Sequence, residues 1–119
     1  MHDLFLPKWV GLRKSFRRRA GRLFLDAIQI EVTSRCNIRC VMCPVTVLAG
    51  RWASHHLPWE TFLRVARAFT STKFVHLQGW GEPLLNPRLF DMIKVAKDAG
   101  CRVGFTTNGT LLEEVASQR

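Results

Sequence analysis

Short segments in which apolar and polar residues alternate are separated by longer segments in which apolar residues recur at helical spacing. Residues 27–32 read Ala, Ile, Gln, Ile, Glu, Val, and this alternation with β-branched side chains predicts a strand. Residues 73–78 and 102–106 have a similar character and predict a second and a third strand.

The segments between these strands carry helix signals. Pro58 suits the first turn of a helix, and Asn86 followed by Pro87 suits the cap and first turn of the next, which Gly100 closes. The apolar face predicted for the first of these helices consists of Phe62, Leu63, Val65, Ala66 and Phe69.

Two further segments complete the pattern. Residues 44–57 show no period and are predicted to be irregular, whereas Thr110 and Glu113 have the spacing of a capping box, which predicts a third helix. Strands and helices therefore alternate along the chain, which predicts an α/β fold with a parallel sheet and right-handed crossovers.

The least ordinary segments of the sequence directly follow the predicted strands. They are residues 36–43, 79–83 and 106–109. In parallel sheets the chemistry gathers at the carboxyl ends of the strands, so the three segments are expected at one edge of the sheet.

Three cysteines separated by three and then two residues are the strongest chemical signal. They are Cys36, Cys40 and Cys43. Thiolates are soft ligands that suit iron–sulfur clusters, zinc or copper(I), and three on one loop can face one metal centre. A structural zinc site usually takes four ligands in separated pairs. His55 and His56 are close enough in sequence to approach the cysteine segment, so zinc remains a possible metal. The fourth cysteine, Cys101, is predicted to be a small buried side chain.

Composition and charge restrict the setting of this chemistry. The chain has 119 residues, about one small domain, and its 47% hydrophobic and 23% charged residues are ordinary for a globular protein. It has no apolar run of transmembrane length and no secretory signal, so a cytoplasmic location is expected, where clustered cysteines favour metal binding. Most of the net charge of +9 lies in residues 1–25, predicted to be a basic arm before the body at 26–119.

The three motifs together resemble a known family. Cys-Asn-Ile-Arg-Cys-Val-Met-Cys matches the CxxxCxxC signature of radical S-adenosylmethionine (SAM) enzymes, placed directly after the first strand. Residues 79–83, Gly-Trp-Gly-Glu-Pro, are similar to the family's GGEP segment, with Trp80 in place of the second glycine. Residues 106–109, Thr-Thr-Asn-Gly, are similar to its stretch at the end of the third strand.

The resemblance implies a [4Fe–4S] cluster held by the three clustered cysteines, with SAM at the open iron. Reductive cleavage of SAM then yields a 5′-deoxyadenosyl radical that abstracts hydrogen from a substrate. The cofactor-binding residues implied in this way are Gly79, Trp80, Gly81, Glu82, Met42, Thr106 and Asn108. Met42 stands where the family often has an aromatic residue near the adenine.

The same resemblance implies the architecture and the partners. Residues 26–119 correspond to the first three strands of a TIM-like (β/α)6 radical SAM barrel, and the motifs are similar to members with a C-terminal auxiliary-cluster (SPASM-type) domain. An oxidoreductase of this kind acts on a peptide or a small metabolite and takes electrons from a donor such as flavodoxin or ferredoxin. The basic arm would suit an anionic partner.

Two other functions remain open from the residues alone. One is a zinc-binding module whose basic arm contacts nucleic acid, which predicts salt-sensitive binding. The other is an inactive radical SAM fragment, because three strands without the rest of a barrel leave an open sheet edge and exposed apolar surface.

Overall fold

The computed structural model describes residues 24–117, so the predicted basic arm lies almost entirely outside the described residues. Within them, three parallel strands form one sheet in the order β1 (Leu25–Gln29), β2 (Thr72–His76) and β3 (Arg102–Gly104). The helices are α1 (Pro44–Val47), α2 (Trp59–Ala66), α3 (Leu89–Asp98) and α4 (Leu112–Ser117). The predicted α/β class and the parallel sheet are confirmed.

Each strand ends before the alternating pattern does. The sequence predicts ends at 32, 78 and 106, whereas the strands end at Gln29, His76 and Gly104. Beyond β1 the backbone takes partners outside the sheet, since Val32 O accepts from Leu57 N over 2.9 Å. The alternation continues past the ladder because Val32 stays buried against the core after it has left the strand.

One face of the sheet packs against the helices. Alternate strand residues point to opposite faces, and the helix side carries Ile28, Ile30, Val32, Val75 and Leu77. The buried helical residues in the same core are Phe62, Ala66, Leu89, Met92, Val95 and Ala96. Removal of this apolar surface from water is the main source of stability for the fold.

The other face of the sheet is apolar near its amino end, where Ala27 and the half-buried Phe74 lie, and polar toward its carboxyl edge. Toward that edge, the alternate positions along the strands and their extensions are exposed or half-buried and carry Gln29, Glu31, His76, Gln78 and Thr106. This face meets the carboxyl edge of the sheet, where the loops with the sequence motifs begin.

Helix α2 begins directly after Pro58, but its apolar face is narrower than predicted. Val65 is 37% exposed, and Phe69 lies in a separate short 3₁₀ helix (Phe69–Ser71), where it is fully buried. The prediction that Val65 joins the buried face is therefore wrong. Phe62 and Ala66 form the side of the helix that faces the core, and Val65 lies at the margin of that side.

Helix α3 begins at Leu89, later than Pro87 predicts. The Asn86 side chain accepts from Arg88 N over 2.8 Å and donates to Val32 O over 2.6 Å, so it caps a turn and ties that turn to the loop after β1. Gly100 closes the helix as predicted. Its φ of 82° is accessible to glycine at little cost, and its N–H donates to Lys97 O over 2.8 Å.

Two smaller predictions are corrected. Residues 44–57 are not wholly irregular, since α1 forms there. The hydroxyl of Thr110 does not form a capping box with Glu113, because it bonds to the side chains of Asn108 and Asn37. No helix within residues 24–117 is long and apolar enough to cross a membrane.

Candidate functional site

Three loops follow the strands at the carboxyl edge of the sheet. Residues 33–43 are termed the cysteine loop, residues 79–83 the glycine loop and residues 106–110 the third loop. The backbone N–H of Glu82 donates to Arg35 O over 2.7 Å, and Asn108 Nδ2 donates to Asn37 Oδ1 over 2.9 Å. Both later loops therefore contact the cysteine loop, and the three sequence motifs share one edge of the sheet.

The cysteine loop carries its thiols on a turn that leads into α1. Cys43 N donates to Cys40 O over 3.1 Å, and Cys43 O accepts from Thr46 N and Val47 N over 2.9 Å each. Cys40 is exposed, whereas Cys36 and Cys43 are half-buried. Within residues 24–117 no group of three or more His, Cys, Asp or Glu side chains converges closely enough to hold a metal ion, so these thiols share a loop without meeting at one point.

The donor set of this loop nevertheless fits an iron–sulfur cluster. Three thiols lie within one loop and none of them is in a disulfide. Thiolates are the usual ligands of such clusters. The loop also carries two positive charges, Arg35 and Arg39, and no acidic residue, which suits an anionic cluster ligated by thiolates.

A returning segment anchors the base of the cysteine loop. Ser34 is buried, and its hydroxyl donates to Ala53 O over 2.6 Å while it accepts from His55 N over 3.0 Å. Ser34 N donates to His55 O over 3.0 Å, and Trp52 Nε1 donates to Ser34 O over 2.9 Å. Hydrogen bonds at Ser34 therefore join the start of the cysteine loop to the returning segment at residues 52–55.

The two histidines of this segment serve the anchor. His56 Nδ1 lies 2.9 Å from Thr33 Oγ1, and the two residues form an isolated antiparallel bridge. Burial, and then the positive charges of Arg35 and His55, hold the pKa of His56 below its ordinary value. The neutral ring is thus favoured at the position where it contacts Thr33.

The two glycines of the glycine loop allow close approach to other parts of the protein. A Cβ on Gly81 would overlap the backbone carbonyl oxygens of Thr33 and Arg35, whereas a Cβ on Gly79 would meet the side chain of Glu31. The Glu31 carboxylate also accepts from Trp80 N over 2.7 Å. The absence of a side chain at residue 81 therefore lets the glycine loop lie directly on the backbone that leads to the first cysteine.

Glu82 is 2% exposed, and its carboxylate is used within the protein. Oε1 accepts from Leu84 N over 3.0 Å and from Thr107 Oγ1 over 2.7 Å, while Oε2 accepts from Asn108 N over 2.7 Å. The side chain thus joins the glycine loop to the third loop.

The third loop contains two predicted site residues with different surroundings. Thr106 Oγ1 donates to Gln78 Oε1 over 2.6 Å and lies 3.4 Å from His76 Nε2, on the polar face of the sheet. Asn108 Nδ2 lies 3.9 Å from Cys36 Sγ. The structure therefore brings Asn108 to the cysteine loop and leaves Thr106 on the sheet.

The remaining predicted residues differ in exposure. Met42, next to Cys43 in the cysteine loop, is 85% exposed, and Trp80 in the glycine loop is 57% exposed, so both offer apolar surface to a ligand. Cys101 is buried apart from the other cysteines, with its Sγ 3.2 Å from Phe69 O and 3.3 Å from Thr72 O, which confirms the prediction of a buried structural residue.

Several residues of the site were not singled out by their sequence pattern. They are Glu31, Ser34, Asn37 and Thr107. The one available signal was that Thr107 and Asn37 lie inside the motifs. Their partners are 19 to 73 positions away, so spacing along the chain could not reveal the bonds.

Comparison with known proteins agrees with the geometry. Residues 30–118 match the model of the Radical SAM superfamily. The chain is 36% identical over 92 residues to the tungsten-containing aldehyde ferredoxin oxidoreductase cofactor-modifying protein of Pyrococcus furiosus, covering 73% of this chain and 25% of that protein. It is 31% identical over 97 residues to the GTP 3′,8-cyclase of Thermodesulfovibrio yellowstonii, covering 77% of this chain and 30% of that enzyme.

Solved structures show the same fold. The crystal structure of BtrN in complex with AdoMet and 2-DOIA superposes with a TM-score of 0.68 at 24% identity, over 82% of this chain and 41% of BtrN. The chain therefore spans less than half of BtrN and 25–30% of the length of the two relatives named above.

Proposed function

Because the chain belongs to the radical SAM superfamily, we propose that it forms the cluster-binding first part of a radical SAM enzyme. Members of this superfamily use a [4Fe–4S] cluster and SAM, and the three strands described here are those that begin the family's TIM-like barrel. The observation that carries the proposal is the meeting of the three motif loops at one edge of the sheet.

Cys36, Cys40 and Cys43 would hold the cluster. When bound, the cluster and SAM supply reductive cleavage to a 5′-deoxyadenosyl radical, which abstracts hydrogen from the substrate. The chain's own part is to keep three thiols on one anchored loop that also carries the positive charges of Arg35 and Arg39.

The glycine loop and the third loop would bind SAM beside the cluster. Gly79, Trp80 and Gly81 offer backbone groups next to the cysteine loop, and Met42 offers an exposed apolar surface for the adenine. The side chains proposed to line the pocket are those of Thr106 and Asn108, while Glu82 contributes from beneath by joining the loops.

The substrate and the electron donor belong to the whole enzyme. The named relatives include a cofactor-modifying protein and a nucleotide cyclase, so their reactions differ although their first strands are alike. We propose a peptide or small metabolite as the substrate class, with flavodoxin or ferredoxin as the electron donor. We also propose that residues 1–25 form a basic arm separate from the core at 26–119.

Anaerobic reconstitution tests the proposal. The wild-type chain should take up about four iron atoms with matching sulfide, and its reduced EPR signal should change when SAM is added. Replacing Cys36, Cys40 or Cys43 by Ala should abolish uptake, whereas Cys101→Ala, remote from the loop, should retain it. Zinc bound in place of iron, or equal iron in all four variants, would contradict the proposal.

A further inference from the structure

The buried carboxylate of Glu82 has a donor at each oxygen from the third loop. Oε1 accepts from Thr107 Oγ1 and Oε2 from Asn108 N, both over 2.7 Å, in addition to the bond from Leu84 N. A buried carboxylate is costly unless such bonds satisfy it, and hydrogen bonds to a charged acceptor are stronger than neutral ones. The position of Asn108 is therefore set by the carboxylate that lies beneath it.

The orientation of the Asn108 amide is also determined by its partners. Its Oδ1 accepts from Thr110 N over 3.0 Å, and a backbone N–H can only donate. Nδ2 must then be the atom on the other side, where it lies 2.9 Å from Asn37 Oδ1 and 3.9 Å from Cys36 Sγ. The amide thus presents an N–H to the first thiol of the cysteine loop.

We infer that Glu82 is a positioning residue that holds Asn108 so that its side-chain amide donates a hydrogen bond to the Cys36 sulfur of the bound cluster. The inference rests on the proposed function, because it takes Cys36 to be a ligand. A hydrogen bond to a ligating sulfur stabilises the extra negative charge of the reduced cluster and raises its reduction potential. Asn108 would then set how readily the cluster accepts an electron.

The positioning step can be measured without iron. Glu82→Gln replaces one acceptor oxygen by an NH₂ group, which cannot accept a hydrogen bond from the N–H of Leu84 or Asn108. Hydrogen exchange at the Asn108 backbone amide should become about tenfold faster, which corresponds to the loss of one ordinary hydrogen bond, while exchange at Met92 and Val95 in α3 stays unchanged. Asp98→Asn removes the same charge from an exposed side chain of α3 and should have no effect at Asn108.

Thr107→Val provides a second variant in case Glu82→Gln does not fold. It removes one donor to the carboxylate without a change of charge, and a smaller acceleration at Asn108 is expected. Unchanged exchange at Asn108 in a folded Glu82→Gln or Thr107→Val chain would overturn the positioning role.

The electronic step is measured in the iron-loaded chain by EPR-monitored redox titration. Asn108→Leu removes the N–H donor and should shift the midpoint potential to more negative values, with a smaller shift in the same direction for Glu82→Gln and none for Asp98→Asn. A loaded Asn108→Leu chain with the wild-type potential would overturn the hydrogen bond to Cys36. A wild-type chain that takes up no iron would instead overturn the proposed function and the ligand role of Cys36, while amide exchange still decides whether Glu82 positions Asn108.

Discussion

The backbone N–H of Glu82 lies 2.7 Å from the carbonyl oxygen of Arg35 and donates a hydrogen bond to it. The two residues are 47 positions apart in the sequence, yet this bond seats the glycine loop on the residue immediately before the first cysteine. A hydrogen bond of this length requires the two backbones to be in contact. The contact is possible because the residue before Glu82 is Gly81, where a Cβ would overlap the carbonyl oxygens of Thr33 and Arg35.

Gly81→Ala should destabilise the fold more than Gly79→Ala. The new Cβ at residue 81 would overlap backbone oxygens of Thr33 and Arg35 that cannot rotate away, at a cost of about 1–3 kcal/mol. At residue 79 it would overlap the side chain of Glu31, whose Cγ and carboxylate can rotate although its Cβ cannot, so this variant should also destabilise the fold, but by less. Urea unfolding of both variants measures the difference, and the reverse order would contradict the packing described.

Ser34→Ala should loosen the base of the cysteine loop. It removes the hydroxyl that bonds Ala53 O and His55 N, and because both of these residues are exposed the loss should be that of ordinary hydrogen bonds, about 0.5–1.5 kcal/mol for each. Chemical unfolding should show this loss, and limited proteolysis should cut the loop faster. Ser54→Ala, an exposed serine in the same segment, is the matched control. Equal effects of the two variants would count against the anchor.

Val75→Ala should cost far more than Val65→Ala. Val75 is completely buried in the core, so the variant loses about 2–3 kcal/mol through lost burial and the cavity that remains. Val65 is 37% exposed on a helix, where Ala is favoured, and the change should stay below about 1 kcal/mol. Thermal unfolding compares the same chemical change at two sites, and similar losses would show that the α2 face is assigned wrongly.

The stability of the wild-type chain should fall as the pH falls through the ordinary titration range of histidine, around about 6.5. The pKa of His56 is held below its usual value in the folded chain, so the unfolded chain binds more protons at this residue. Protonation therefore stabilises the unfolded chain relative to the folded chain. The penalty should grow until the pH reaches the lowered pKa and then level off.

His56→Gln tests this, because it removes the titrating ring and keeps a hydrogen-bonding side chain beside Thr33. Melting temperatures measured from about pH 7 to pH 5 should fall less steeply for the variant than for the wild type. His55→Gln, an exposed neighbour, should retain most of the wild-type slope. Parallel slopes for wild type and His56→Gln would refute the assignment.

The class of fold and the location of the motifs could be predicted from local patterns. Strand alternation, a proline before α2 and Gly100 after α3 depend on residues a few positions apart, and these predictions agree with the structure. The strand ends could not be predicted in this way, because Val32 stays apolar and buried after its backbone has left the sheet. The apolar pattern indicates which residues are buried, whereas a strand ends where its backbone groups stop bonding to the neighbouring strand.

The sequence by itself determined that three motifs follow three parallel strands, since the spacing of cysteines and glycines is a property of the chain. Only the tertiary structure decided what each residue in those motifs contacts. Glu82 lies in a segment that suggests ligand binding, yet its carboxylate bonds Thr107 and Asn108. Gly81 lies against the backbone before the cysteines. Such contacts depend on how crossovers bring distant loops together, and local sequence does not contain that information.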